Sequence, residues 1–175
     1  MNGEAVTLQQ LLESREQRAA YQQRLLAVYP GACLVSFMVN MPGEVKYCPL
    51  TRRLHQLGWE AVGSELAQAG ADVLYREVRQ LATGIEGYLC VGGEARAIKA
   101  LMCGVEERHT LGRLFDIDVL TGEGRRLGRD EWGAPPRKCL LCDNDGAICA
   151  RSRAHGTEEL IAKIREMLER YELHG

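Results

Sequence analysis

Gly112-Arg113-Leu114-Phe115-Asp116-Ile117-Asp118-Val119-Leu120 places two carboxylates two residues apart inside an otherwise apolar, β-prone run. Successive side chains of a strand alternate between faces. Asp116 and Asp118 therefore point to one side, and Phe115, Ile117 and Val119 to the other. Like charges this close repel each other in a half-buried setting unless a cation lies between them. A hard divalent ion such as Mg²⁺ meets that need, because it binds through one or two carboxylates plus the phosphates of a substrate. The pattern points to metal-assisted phosphoryl or nucleotidyl transfer. An Asp-x-Asp on a merely solvated strand face has the same spacing, and the stretch alone leaves both readings open.

Outward from this strand, Thr121-Gly122-Glu123-Gly124 turns the chain back toward a partner strand around residues 125–129. Upstream, Gly92-Gly93 opens a helix with Ala95, Ile98, Leu101, Met102 and Val105 on one face, ending near Glu106-Glu107-Arg108. Residues 72–78 and 88–91 read as strands around the turn-rich Thr83-Gly84-Ile85-Glu86-Gly87. Residues 49–70 form a helix with Pro49 in its first turn and Gly70 at its end. Residues 32–39 are a continuous apolar run of strand length. Before it, Thr7-Leu8-Gln9-Gln10 has the form of a capping box, opening a helix that Pro30-Gly31 stops. A last helix runs from Thr157 to about Leu173. The sum is a single α+β domain over residues 1–175, with three to four helices around a mixed sheet.

Composition narrows the class. Hydrophobic residues at 46% and charged residues at 26% are ordinary for a soluble globular chain. A formal net charge of −2 and a pI near 6.1 argue against general nucleic-acid binding, which leaves a basic imprint. The longest apolar run, residues 33–39, is too short to cross a bilayer, and the start lacks the basic-then-apolar form of a signal peptide. The expectation is a cytoplasmic protein without a membrane partner. Seven cysteines, an odd number with no export signal, read as thiols or metal ligands rather than a disulfide framework. Cys33, Cys90 and Cys103 sit in apolar segments as small hydrophobes, and Cys48 lies in a loop beside Pro49.

Two other regions carry candidate chemistry. Arg52 and Arg53, with His55, lie in the first turns of the helix that starts at Pro49. The helix dipole there favours anions, so basic residues have a use if a phosphate binds; a solvated face is the competing reading. The segment 135–155 holds Cys139, Cys142, Cys149 and His155, which could form a Cys₃His zinc site. Packed thiols are the alternative, and a thioredoxin-like pair lacks its βαβ context. Arg151 and Arg153 stand at alternate positions just before a helix start, a plausible polyphosphate clamp. Asp143-Asn144-Asp145-Gly146 lacks the spacers and the closing Glu of a calcium loop. No Gly-x-Ser-x-Gly elbow, Walker A sequence or dinucleotide fingerprint is present, so the carboxylates and arginines must carry any catalysis.

The stretch from Gly112 to Val119, the following Pro135-Pro136-Arg137-Lys138-Cys139-Leu140-Leu141-Cys142, and Cys149-Ala150-Arg151-Ser152-Arg153-Ala154-His155 resemble the citrate lyase holo-acyl-carrier-protein synthases. These are also called apo-citrate lyase phosphoribosyl-dephospho-CoA transferases. Leu34-Val35-Ser36-Phe37, Pro42-Gly43 with Lys46, and Thr51-Arg52-Arg53 match as well, so the resemblance spans nearly the whole chain.

The resemblance implies a nucleotidyltransferase. The family moves phosphoribosyl-dephospho-CoA from its 5″-triphosphate precursor, triphosphoribosyl-dephospho-CoA, onto a serine of the citrate lyase acyl carrier (γ) subunit and releases diphosphate. On that basis Asp116 and Asp118 are expected to hold Mg²⁺. Gly112, Arg113, Arg52, Arg53, Arg151 and Arg153 are expected to bind the triphosphate, and Glu106 to act as a third carboxylate, metal ligand or base. His109 is a second candidate base; otherwise it is a loop residue bonded to backbone. DNA polymerase β-like nucleotidyltransferases also use a strand Asp-x-Asp, and by that analogy a nucleotidyltransferase-like fold is the expectation, although their preceding Gly-Ser is not evident here. A non-catalytic, zinc-stabilised module docking on the lyase and a transferase of the malonate decarboxylase type are the competing readings.

Overall fold

The computed structural model describes residues 3–129, 131 and 136–174; Pro135, where the cysteine-rich segment begins, lies outside them. In chain order the elements are α1 (Leu8–Val28), β1 (Ala32–Val39), α2 (Pro49–Gln68), β2 (Val73–Leu81), β3 (Gly84–Gly92), α3 (Ala95–Arg108), β4 (Phe115–Leu120), α4 (Gly146–Ser152) and α5 (Thr157–His174). A 3₁₀ turn at Gly112–Leu114 leads into β4. The capping box forms as the sequence predicts, with the Thr7 hydroxyl and the Gln10 amide each bonded to the other's backbone N–H.

The four strands stand in the order β2-β3-β1-β4, and every neighbouring pair is antiparallel. This corrects the expectation of a mixed sheet. The helices do link parallel strands, β1 to β2 and β3 to β4, but a third strand lies between the members of each pair. Such a split βαβ arrangement is the ferredoxin-like topology. The helix count is also corrected, to five among the described residues. The additional one is α4, only seven residues long, whose Asp145 side chain caps the N–H groups of Ala147 and Ile148. Its Asp-Gly start reads as a turn, and so short a helix shows no apolar periodicity.

Helices cover both faces of the sheet, which is why β1 is an unbroken apolar run. Leu54, Val62 and Leu66 of α2, Ile98 and Met102 of α3, and Ile164 of α5 pack on Val35, Phe37, Ile117 and Val119. On the other face, Leu25 and Leu26 of α1 meet Leu34, Tyr88, Cys90 and Leu120. The β2–β3 turn is tighter than expected, because β3 already begins at Gly84, paired with Leu81. Gly87 marks no turn. The Trp59 ring lies so close over it that a Cβ there would stand 2.5 Å from the indole.

The opposite edge, β4, is closed by side chains. Ile117 N–H donates to the Glu106 carboxylate at 3.1 Å, and Ile117 C=O accepts from Lys99 Nζ at 3.0 Å. Phe115 C=O accepts from Arg137 at 2.6 Å, and Val119 C=O from the Leu127 N–H at 2.9 Å. An edge thus occupied offers nothing to a foreign strand. Among the described residues, no helix is long and apolar enough to cross a membrane.

His55 of α2 is 4% exposed, packed beside Phe37 at 4.8 Å between ring centroids, and its Nε2 has no hydrogen-bond partner among the described residues. Burial lowers its pKa to about 4. The folded protein keeps this imidazole neutral, while the unfolded chain takes up a proton near pH 6.5. Stability is therefore expected to fall as pH drops from about 6.5 to 4, by about 3 kcal/mol from this group. Urea unfolding of wild type and His55→Gln at several pH values checks it: the variant should show a flatter slope across that window, and equal slopes would refute the assignment.

Candidate functional site

Asp116 and Asp118 sit on the α1 face of β4, opposite Met38 and Ser36 of β1. Gln22 of α1 donates to the Ser36 hydroxyl at 3.1 Å, so the helix crosses the sheet beside the carboxylates without covering them. Two cavities meet at this point and share Asp116, Asp118 and Arg126. One, of about 200 Å³, lies toward α1. The other, of about 510 Å³, lies beyond β4 and is walled by Arg113, Arg129, Arg137 and the start of α4.

The electrostatics of the pair are unbalanced. Asp116 has no hydrogen bond or ion pair among the described residues. Its carboxylate reaches solvent within a crowded concavity. That crowding first, and repulsion from Asp118 second, push its pKa above the usual carboxylate range; Arg137 opposes the shift. Asp118 has one weak contact, with Arg126 Nη1 at 3.4 and 3.5 Å from its two oxygens. Arg126 is 69% exposed at its side chain, so this contact contributes little stability.

Glu106 is buried, and both its oxygens are engaged. One accepts from Ile117 N–H and pairs with Arg137; the other accepts from Arg129 at 2.5 Å. Arg129 also reaches Glu107 at 2.9 Å. Glu106 thus ties two guanidinium groups and the β4 edge to α3. The Arg113 guanidinium donates to the Lys138 carbonyl, while its buried Nε has no partner among the described residues.

The other expected residues lie elsewhere. Gly112 is buried, and a Cβ there would stand 2.4 Å from the Glu106 carbonyl, so it serves the close approach of the 3₁₀ turn to α3. Arg52 borders a separate cavity with Tyr47 and Pro49, and Arg53 pairs with Glu172 of α5 at 2.8 Å. Both belong to α2, against the far face of the sheet, and the structure does not bring them to the carboxylates. Arg151 and Arg153 are exposed at the end of α4 and line neither carboxylate cavity; Arg153 takes the left-handed cap at φ 50°. His109 accepts from the Leu111 N–H at 3.0 Å and packs on Phe115, on the far face from Asp116.

Cys139, Cys142, Cys149 and His155 do come together. Their ligand atoms all lie within 4.8 Å of one another, with Cys142 Sγ 3.6 Å from Cys149 Sγ and 3.3 Å from His155 Nε2. A zinc tetrahedron with Zn–S of ~2.3 Å has S···S edges of ~3.8 Å, so the spacing fits that ion. The Leu141 backbone N–H, followed by that of Cys142, bonds the Cys139 sulfur and lowers its pKa to about 6. None of the seven cysteines is in a disulfide.

The residues missed by sequence reading are Arg126, Arg129, Arg137 and Lys99. A usable signal existed for Arg126. It bridges Leu120 across the turn, so it must share a face with Asp118. Arg129 and Arg137 follow the Asp-x-Asp strand closely in sequence, but their partner Glu106 precedes it, and no spacing rule reports that.

A sequence model of the family described as apo-citrate lyase phosphoribosyl-dephospho-CoA transferase matches residues 6–171. A relative of that name from Escherichia coli O9:H4 (strain HS) is 40% identical over 164 residues, covering 94% of this chain and 89% of that protein. One from Shigella boydii serotype 18 (strain CDC 3083-94 / BS512) is 39% identical over the same length. A chain that matches relatives of that name over nearly its whole length is a transferase. The chain belongs to the apo-citrate lyase phosphoribosyl-dephospho-CoA transferase family.

Proposed function

We propose that this chain transfers phosphoribosyl-dephospho-CoA from its 5″-triphosphate precursor to a serine of the citrate lyase acyl carrier (γ) subunit, releasing diphosphate. The observation that carries this reading is the extent of the family match, residues 6–171, which takes in every residue lining the two carboxylate cavities. The nucleotidyl-transfer mechanism rests on the Asp pair and its cations, not on a nucleotidyltransferase fold.

Asp116 and Asp118 fit a divalent cation, since Asp116 is unpartnered among the described residues and Asp118 beside it raises the cost of its charge. Mg²⁺ held there would neutralise charge on the phosphate oxygens. Arg113, Arg129 and Arg137 face the same cleft and bind the triphosphate, with bidentate geometry suited to phosphate. Glu106 orients two of these arginines; with both oxygens engaged it is a poor base. Cys139, Cys142, Cys149 and His155 hold a structural zinc that fixes the wall carrying Arg137. Seven cysteines outside any disulfide accord with work in the reducing cytoplasm.

The test is the intact mass of apo acyl carrier subunit after incubation with this protein, Mg²⁺ and the precursor. The expected result is a gain of one phosphoribosyl-dephospho-CoA, abolished by EDTA. No gain with folded protein, under any condition, would overturn the reading.

A further inference from the structure

We propose that the smaller cavity, between α1 and β4, is the entrance for the acceptor's serine, and that the α1 face above it receives the carrier. The inference rests on the transfer reading above and adds which reactant uses which side.

In-line displacement at phosphorus needs the attacking and leaving oxygens on opposite sides of the reacting atom. A site serving two substrates must then open on two sides of its reacting centre. Asp116, Asp118 and Arg126 form the shared wall of just such a pair of openings. Their sizes differ in the required sense. A triphosphate with its ribose needs the cleft of about 510 Å³, where Arg113 and Arg137 stand. A space of about 200 Å³ takes a serine side chain with its adjoining backbone.

The linings differ as well. On the small side Gln22 and Ser36 are hydrogen-bonded to each other, and Arg18 is committed to the buried Glu86 at 2.8 Å. Arg15 remains. It is exposed and makes no hydrogen bond or ion pair among the described residues. One uncommitted cation at the mouth suits an acceptor segment with a carboxylate near its serine.

Two exposed leucines stand amid polar neighbours on the helix surface that leads to that mouth. Leu8, Leu12, Arg15 and Ala19 follow one another at i, i+4, i+7 and i+11, a single stripe along α1. Leu8 is 73% and Leu12 49% exposed. A protein that feeds a serine into the small cavity must lie along this stripe.

In the step, a bond forms between the serine oxygen and phosphorus from the α1 side. The bond to the diphosphate oxygen breaks on the far side, and its electron pair leaves with diphosphate. The hydroxyl proton passes to solvent water at the mouth of the small cavity.

Arg15→Glu and Leu12→Asp test the assignment, because both positions are exposed and neither change disturbs the core. Transfer rates are measured with carrier and precursor varied in turn, and apo carrier binding is measured separately by fluorescence anisotropy. Each variant should raise the carrier's KM and Kd tenfold or more, with the precursor's KM within twofold of wild type. Carrier KM and Kd unchanged in both variants, while wild type labels the carrier normally, would overturn the entrance alone. A rise confined to the precursor's KM would assign the cavity to the donor and overturn it equally. A wild-type protein that never labels the carrier would sink the transfer reading and this inference together.

Discussion

Asp116→Asn and Asp118→Asn should each cut transfer to the carrier by three orders of magnitude or more, while the protein remains as stable as wild type. A thousandfold loss corresponds to about 4 kcal/mol of transition-state stabilisation. That is the magnitude expected for removing one of the two carboxylates proposed to hold a cation against developing phosphate charge. The stability side follows from the geometry. Asp116 has no hydrogen bond or ion pair to lose, and its charge is opposed by crowding and by Asp118. Replacing it with a neutral isostere relieves that opposition, so its melting temperature should hold or rise slightly. Asp118→Asn loses only a long contact to an exposed Arg126, worth at most about 1 kcal/mol. A gain in stability with a collapse in activity is the signature of residues held against local energetics for chemistry. Transfer assayed by carrier mass, with thermal unfolding of the same samples, checks both halves. Full activity in both variants would remove the metal assignment.

The features legible in the sequence were those encoded locally. The Asp-x-Asp strand, the Thr7 capping box and the Pro49 helix start depend on neighbours within a few positions, and all three formed where expected. The Cys₃His group was legible too, because a Cys-x₂-Cys turn is a local unit and α4 only had to return Cys149 to it. Sheet order was not legible. Whether β4 lands beside β3 or on the far side of β1 is decided by which face α3 can bury, a property of the assembled sheet. Gly87 misled for a similar reason: turn and close approach both call for glycine, and only Trp59, 28 positions upstream, distinguishes them. Glu106 at a helix end reads from the sequence as a third catalytic carboxylate. Its burial depends on Arg129 and Arg137, which arrive from a separate segment to neutralise it. Arg52 and Arg53 lie on the other side of the sheet from the carboxylates, a placement that no spacing along the chain reports.

Cys142→Ser is expected to have the largest effect on stability, because Cys142 Sγ lies within 3.6 Å of Cys149 Sγ and 3.3 Å of His155 Nε2. Purified under reducing conditions, the wild type should contain one zinc per chain and the variant none. The loss would be regional. Among the described residues the cysteine-rich segment adds only the partly buried Leu140 to the main core, so what loosens is chiefly the wall from Arg137 through α4. That wall is joined to the site by short links. Arg137, two residues before Cys139, clips the Phe115 carbonyl and Glu106, and Arg113 holds the Lys138 carbonyl. Releasing them leaves a buried carboxylate short of a partner, which costs about 3 kcal/mol. For a chain of this size that lowers the melting temperature by about 10 °C. Transfer should fall as well, because Arg137 and Arg113 no longer face the triphosphate together. Cys90→Ala, far from the cluster on β3, serves as the control and should retain its zinc. Metal analysis, thermal unfolding and limited proteolysis between residues 136 and 155 check the prediction. Zinc-free wild type with an unchanged melting temperature in Cys142→Ser would show that the four side chains are packed together without an ion, and that the wall stands by its hydrogen bonds alone.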